Sequence, residues 1–216
     1  MHKFYIGSDE SLKGDTFGGI VVAAVLVDDE QKKKLESVGV MDSKKVTNEK
    51  IPLLAKQIRA ICPYTTVKSL MPEEYNQYKL TSLLNQLHAE CAQVLKENHM
   101  KENDYSLDPD EDNAATYTHI VDEYPGWNVG DVAKTKAESL YIEVAAASIL
   151  AREGALKQIV ELSKKLGFDA PLGSTHVADA LFKLKVSGKP PEYFVKMHFK
   201  NVQQALGSAY LKDQSN

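Results

Sequence analysis

The octet Ile20-Val21-Val22-Ala23-Ala24-Val25-Leu26-Val27 carries no polar side chain. Its length suits a strand rather than a helix, and β-branched residues dominate it, so it reads as a strand covered on both faces. A chain that buries such a strand must place other layers on each side of it, which points to an α/β architecture. Residues 3–9 read as a second strand that runs into Asp9. The connection through Gly14, Gly18 and Gly19 is short, and predicts that the two strands pair as an antiparallel hairpin.

The rest of the chain alternates in the same sense. Residues 28–38 are charged and helix-prone, and a helix starting near Asn48 would hold Pro52 in its first turn. Residues 64–70 and 117–122 read as strands. Leu83, Leu84, Leu87, Cys91, Val94 and Leu95 mark one face of a helix over 80–98. Residues 102–112 are acidic and aperiodic, an exposed, mobile loop; they lack the glycine and distal glutamate of an EF-hand calcium loop. A long helix over 140–166 ends at Gly167, and its Ala145-Ala146-Ala147-Ser148 segment allows close approach of another backbone. Two further helices are predicted near 176–187 and 192–206. The expected whole is one domain over 1–216: an α/β core to about residue 166, with a mixed central sheet flanked by helices, then a helical C-terminal region.

Composition limits the function classes. The chain is 43% hydrophobic and 26% charged, as soluble globular proteins are. No apolar run reaches the ~18–20 residues of a membrane span, and the start lacks a signal-peptide pattern. Cys62 and Cys91 form neither a metal-ligand spacing nor a disulfide framework. A cytoplasmic protein with two core thiols is expected. The net charge of −4 argues against a generic nucleic-acid-coating protein. It is distributed unevenly, with acidic excess up to residue 133 and basic excess beyond, which suits either a metal site beside a polyanion-binding surface or a solvated, uneven exterior.

Acids end two of the strands, Asp9-Glu10 and Asp122, and Glu138 stands before the long helix. Buried carboxylates repel one another unless a cation lies between them. Three or four converging at one sheet edge would hold two divalent ions suited to phosphodiester displacement. Oxygen donors favour Mg2+ or Mn2+ over zinc. Asp9 and Glu10 are adjacent, so a straight strand would point them to opposite faces. Asp131 and the acids of 104–112 rival Asp122.

The segment Asp9-Glu10-Ser11-Leu12-Lys13-Gly14-Asp15-Thr16-Phe17-Gly18-Gly19, followed by the apolar octet, resembles the opening motif of type 2 ribonucleases H, most of all the HIII branch. Asp42-Ser43-Lys44-Lys45-Val46-Thr47, Thr135-Lys136-Ala137-Glu138-Ser139 with Val144 to Arg152, Pro171-Leu172-Gly173 and His198-Phe199-Lys200-Asn201 match further blocks in order. The resemblance covers about residues 4–201. It implies an RNase H-like fold and endonucleolytic cleavage of the RNA strand of RNA/DNA hybrids, leaving 5′-phosphate and 3′-hydroxyl ends. It makes Asp9, Glu10, Asp122 and Glu138 the catalytic, metal-binding acids. Ser11, Leu12, Lys13 and Gly14 become the turn that senses 2′-hydroxyls, and Ser43, Lys44, Lys45 and Arg152, with Lys136, become phosphate contacts.

Three departures from the family pattern stand out. Leu12 replaces a glycine of the turn, and Gly19 replaces a proline, which should loosen the start of the second strand. The tyrosine with which the HII branch recognises a lone ribonucleotide has no counterpart in Leu166 to Gly173, so weak incision at single ribonucleotides is expected. The N-terminal substrate-binding domain of HIII proteins is expected to be absent, which predicts weaker, strongly salt-dependent hybrid binding; the alternative is that Lys183, Lys185, Lys189, Lys196 and Lys200 take over the grip. A monomer with no obligate protein partner is expected. A non-catalytic hybrid-binding protein and another nuclease of the RNase H-like superfamily are the alternatives.

Overall fold

The computed structural model describes residues 1–40, 44 and 46–207. The strands are β1 (His2–Ser11), β2 (Ile20–Val27), β3 (Thr65–Leu70), β4 (Ala115–Asp122) and β5 (Val132–Lys134). The helices are α1 (Asp29–Ser37), α2 (Ile51–Ile61), α3 (Pro72–Tyr75), α4 (Leu80–Asn103), α5 (Ile142–Leu166), α6 (Ala178–Val186) and α7 (Lys200–Leu206). The five strands form one sheet in the order β3-β2-β1-β4-β5. Every residue of β2 is buried, as its uninterrupted apolar run requires. β1 and β2 are neighbours as expected, and β4 lies parallel to β1 and to β5. β5 has three partly exposed residues and no apolar pattern, so nothing in the sequence announces it.

Two compact units divide the chain. One comprises Met1–Ser11, Val22–Lys68 and Leu80–Glu153; the other comprises Leu12–Val21, Ser69–Lys79 and Gly154 onward. In the first unit, Gly7 of β1 lies against the opening turn of α5. A Cβ there would sit 2.3 Å from the Glu143 carbonyl carbon and 2.4 Å from the Val144 nitrogen. Val144, Ala145, Ala146 and Ala147 are all buried. The small-residue run thus admits a strand backbone against a helix, as its composition predicts. Asp28 caps α1 by accepting from the Gln31 N–H at 2.7 Å, and the Gln31 side chain returns the bond to the Asp28 N–H at 3.0 Å.

In the second unit, one expectation fails. Residues 192–206 do not form a single helix: Pro191–Tyr193 is one 3-10 turn, and helix resumes only at Lys200. The backbone between them is engaged elsewhere. The Gly18 N–H donates to the Phe194 carbonyl at 3.0 Å, the Lys196 N–H donates to the Thr16 carbonyl at 3.0 Å, and Phe17 and Val195 form an antiparallel bridge. Groups spent on that bridge cannot close helical turns. Gly19 does not loosen its strand either. Its N–H donates to Gln158 Oε1 at 2.7 Å, which a proline could not do, and a Cβ would lie 2.1 Å from the Leu70 carbonyl oxygen.

Gly7→Ala should cost about 3 kcal/mol, the upper end for overpacking, because the clash is with backbone on both sides. Gly14→Ala, where an added Cβ meets nothing within 4 Å, should change stability by less than about 1 kcal/mol. Urea unfolding of the two variants tests the contrast; equal costs would mean that α5 can retreat from β1.

Candidate active site

The parallel pairing of β1 and β4 sets Ser8 opposite Val121. One step further along both strands stand Asp9 and Asp122, level with each other at the carboxyl ends of neighbouring strands. Side chains alternate along a strand, so Ser8 and Glu10 share one face of β1, while Gly7 and Asp9 share the other. The contacts agree. Gly7 lies against α5, whereas Ser8 and Glu10 both meet His88 of α4. The adjacent acids therefore stand on opposite sides of the strand end.

Each acid is held by its own local partners. Asp9 accepts the Glu10 N–H at 2.8 Å, and Asp122 accepts the Ala137 N–H at 2.8 Å. That second bond ties the end of β4 to the 3-10 turn Ala137–Ser139, which carries the buried Glu138. Lys136, immediately before, adopts a left-handed backbone with φ 59° and ψ 41°. Glu138 Oε1 lies 3.4 Å from Lys44 Nζ. Its Oε2 is buried and accepts no hydrogen bond among the described residues. The Glu10 side chain is 4% exposed, with Oε2 3.3 Å from His88 Nε2.

Behind Glu10 runs a polar chain that sequence reading missed. The Ser8 hydroxyl bridges His88 Nδ1 at 2.7 Å and His119 Nε2 at 2.8 Å. The His119 N–H donates to Asp131 Oδ2 at 2.7 Å, and the His119 carbonyl accepts the Asp131 N–H at 2.8 Å. Burial, reinforced by His88, pushes the His119 imidazole down to about 4, so it is neutral at pH 7. Tyr124 stacks on His88 with ring centroids 5.6 Å apart and donates its hydroxyl to Asn85 Oδ1 at 2.9 Å. The available signal was a histidine on the apolar stripe of α4, among Leu84, Leu87 and Cys91. The acids that rival Asp122 in the sequence lie in other surroundings. Asp131 is occupied with the backbone of β4, and Asp104, Asp108, Asp110, Glu111 and Asp112 lie in an exposed loop.

The remaining expected contacts divide. Ser43 and Lys45, with Asp42, lie outside the described residues. Lys44 reaches the acids on a side chain 78% exposed. Arg152 bonds Asn48 Oδ1 at 3.2 and 3.3 Å. Ser11 ends β1, Leu12 is buried at φ 69°, Lys13 is half-buried and Gly14 is exposed. Lys196 departs most from expectation: it is fully buried and cannot grip a solvated phosphate. Lys185 and Lys189 donate to the carbonyls of Ala205 and Leu166 respectively, at 3.0 and 3.3 Å.

Electrostatics show what the acids lack. Burial holds the Asp9 carboxyl well above the usual aspartate value of 3.8; the charges of Glu10, Asp122 and Glu138 add to this, and the Glu10 N–H opposes it. Asp122 is raised too, by burial and then by Glu138 and Glu10, against the Ala137 N–H and Lys44. Among the described residues no three such side chains already close into a metal cage. The donor set nevertheless fits a hard divalent cation: four carboxylates in one another's field, with one buried oxygen of Glu138 unbonded. A carboxyl whose folded pKa is raised adds stability below pH 3.8, and that contribution is lost as pH rises through the folded value. At neutral pH the metal-free site therefore weakens the fold. Asp9→Asn should raise the metal-free melting temperature at pH 7 by about 3 °C or more, and Mg2+ should stabilise the parent far more than the variant. A lower melting point in the variant would show that Asp9 is not under repulsion.

Comparison with known proteins places the chain. The Ribonuclease HII family matches residues 6–202. Ribonuclease HIII of Bacillus cereus (strain AH187) is 35% identical, over 93% of this chain and 68% of its own length. The structure resembles Bst-RNase HIII in complex with Mn2+ (TM-score 0.77, 30% identity, 97% of this chain and 70% of the other). It also resembles Aquifex aeolicus RNase H3 (TM-score 0.67, 29% identity, 91% and 72%). The sheet order and the acids at its strand ends thus sit in a sequence matched almost throughout, and the chain belongs to the ribonuclease HII family of type 2 ribonucleases H, hydrolases with an RNase H-like fold.

Proposed function

We propose that this chain cleaves the RNA strand of RNA/DNA hybrids endonucleolytically, leaving 5′-phosphate and 3′-hydroxyl ends, with Asp9, Glu10, Asp122 and Glu138 holding Mg2+ or Mn2+. The observation that carries the reading is the mutual field of these four acids, three at the ends of β1 and β4 and Glu138 on the 3-10 turn tied to β4. A Mn2+ complex of the related Bst-RNase HIII supports divalent metal use. Ions bound there, two once substrate is present, would supply the charge that activates the attacking water and stabilises the leaving 3′-oxygen.

The protein's own groups do the positioning. The Ala137 N–H fixes Asp122, and His88, backed by Ser8 and His119, fixes Glu10 from the α4 side. Lys44 neutralises Glu138 in the metal-free site. Its long exposed arm would turn to a substrate phosphate when a cation takes over that carboxylate. Arg152, held by Asn48, offers a second phosphate contact. The turn Ser11-Leu12-Lys13-Gly14 follows the acids directly in sequence and presents backbone amides to a ribose 2′-hydroxyl, the group that separates RNA from DNA.

Three end-labelled substrates test this in Mg2+ or Mn2+: a continuous RNA/DNA hybrid, a duplex with one embedded ribonucleotide, and single-stranded RNA. Only the continuous hybrid should be cut efficiently, and Glu138→Ala should reduce its cleavage by more than about 100-fold. Ser8→Ala, which breaks the link behind Glu10, should cost about 10–100-fold, as groups supporting metal ligands do. Efficient cutting at the single ribonucleotide would overturn the subgroup assignment. Hybrid binding without cleavage would favour a binding protein instead.

A further inference from the structure

Lys196 of the second unit is spent on backbone: its Nζ donates to the carbonyls of Leu12 at 2.8 Å, Asp15 at 2.6 Å and Gly18 at 2.9 Å. In the first unit, Lys32 of α1 reaches two other elements at once. Its Nζ lies 2.9 Å from Glu143 Oε1, in the opening turn of α5, and 3.3 Å from the ring centroid of Tyr5 on β1. The Glu143 side chain is 1% exposed and that of Lys32 is 21% exposed. An ion pair placed so deep is weak ground for stability, because taking both charges out of water offsets their attraction. Apolar side chains of similar volume often stabilise such a place equally well. What they would not supply is direction. A cation that meets one carboxylate and one ring face together fixes both.

Both partners lead to the acids. Alternation along β1 puts Tyr5 and Gly7 on the face that also carries Asp9. Tyr5 packs against Ile120, Ala137 and Val144. The peptide that presses on Gly7 is the one between Glu143 and Val144, so the Glu143 side chain springs from the point where α5 meets the strand, two residues before Asp9. In the other direction, α5 is joined by backbone to the turn that carries Glu138. The Ala145 N–H donates to the Tyr141 carbonyl at 3.0 Å, and the Tyr141 N–H donates to the Ala137 carbonyl at 2.8 Å. The Ala137 N–H in turn donates to Asp122 Oδ1. Lys32 therefore ties the strand of Asp9 to the helix that follows Glu138, on the face of β1 opposite to the His88 support of Glu10.

We propose that Lys32 is a positioning residue for the metal site: by clamping Glu143 and Tyr5 together it fixes the gap between Asp9 on β1 and Glu138 ahead of α5. The proposal rests on the metal-dependent ribonuclease H reading above. It is tested with the double variant Lys32→Met, Glu143→Leu, which replaces the pair by apolar side chains and leaves no charge buried alone. Mn2+ affinity is read at one fixed temperature from the EPR signal of the free ion, and the metal-free melting temperature is measured alongside. Glu138→Ala identifies the binding that belongs to the acids. Arg59→Met is the control, because it breaks another pair on α5, Arg59 Nη2 with Glu153 Oε2 at 2.6 Å, about three turns further along the helix.

The parent should bind Mn2+, and Glu138→Ala should weaken that binding. K32M/E143L should melt within a few degrees of the parent yet bind Mn2+ about three- to tenfold more weakly, short of the ~10–100-fold cost of groups that touch a metal ligand directly. R59M should keep the parent's Mn2+ affinity whatever its melting temperature. Parent-like Mn2+ affinity in folded K32M/E143L overturns the proposal, and so does an equal loss in R59M, which would tie affinity to the stability of α5 in general. A parent that binds no Mn2+ defeats the metal-dependent reading itself, an outcome seen before any variant is compared. If K32M/E143L does not fold, E143Q, which keeps the shape of the side chain and removes its charge, is read by the same criteria. Failure of both to fold assigns the pair to stability alone and overturns the proposal.

Discussion

Repulsion among buried acids is the constraint on which the first unit is built. Asp9 and Asp122 are brought level by the β1–β4 register, and Glu138 is brought near by the Ala137 amide bound to Asp122. Every nearby polar contact serves to keep these groups where they would not stay unaided. Backbone N–H groups face Asp9 and Asp122, Lys44 faces Glu138, and an imidazole faces Glu10. The close approach of Gly7 to α5 belongs to the same arrangement, because it sets the strand that delivers Asp9 directly against a helix backbone.

The division of labour between the faces of β1 follows from period-two geometry. Glu10 looks toward α4, where a hydroxyl and two imidazoles form a chain reaching the backbone of β4. Asp9 shares the face of Gly7, toward α5. One strand end thus presents two acids on opposite sides, each with its own support. An acid pair on a single face would have had to share both the support and the repulsion.

Much of this was legible in the sequence, for identifiable reasons. The unbroken apolar octet could only be a doubly covered strand, and the alanine run of α5 could only mark a close approach. The ordered motif blocks pointed to four acids, and the strand register and the Ala137–Asp122 bond bring Asp9, Asp122 and Glu138 near one another. What stayed hidden depends on long-range pairing. No local pattern joins Ser8 to both His88 and His119, which are far apart in the chain. Residues 192–206 have helical composition, but pairing with Thr16 to Gly18 and the bonds of the Asn76 side chain to Glu192, Val195 and Met197 engage the backbone groups that helical turns would need. Lys196 looks in sequence like any surface lysine, because the carbonyls that claim it lie near the other end of the chain.

That last separation has a consequence for synthesis. On the ribosome, all four acids have emerged once Glu138 is clear of the exit tunnel, and the strands that carry them can already pair. The lysine that gathers Leu12, Asp15 and Gly18, and the asparagine that ties Thr16, follow Glu138 by about 60 residues. A nascent chain paused between these points carries its carboxylates complete but its first turn unlocked. Assembly of the turn therefore waits on residues translated well after both the turn itself and the acids.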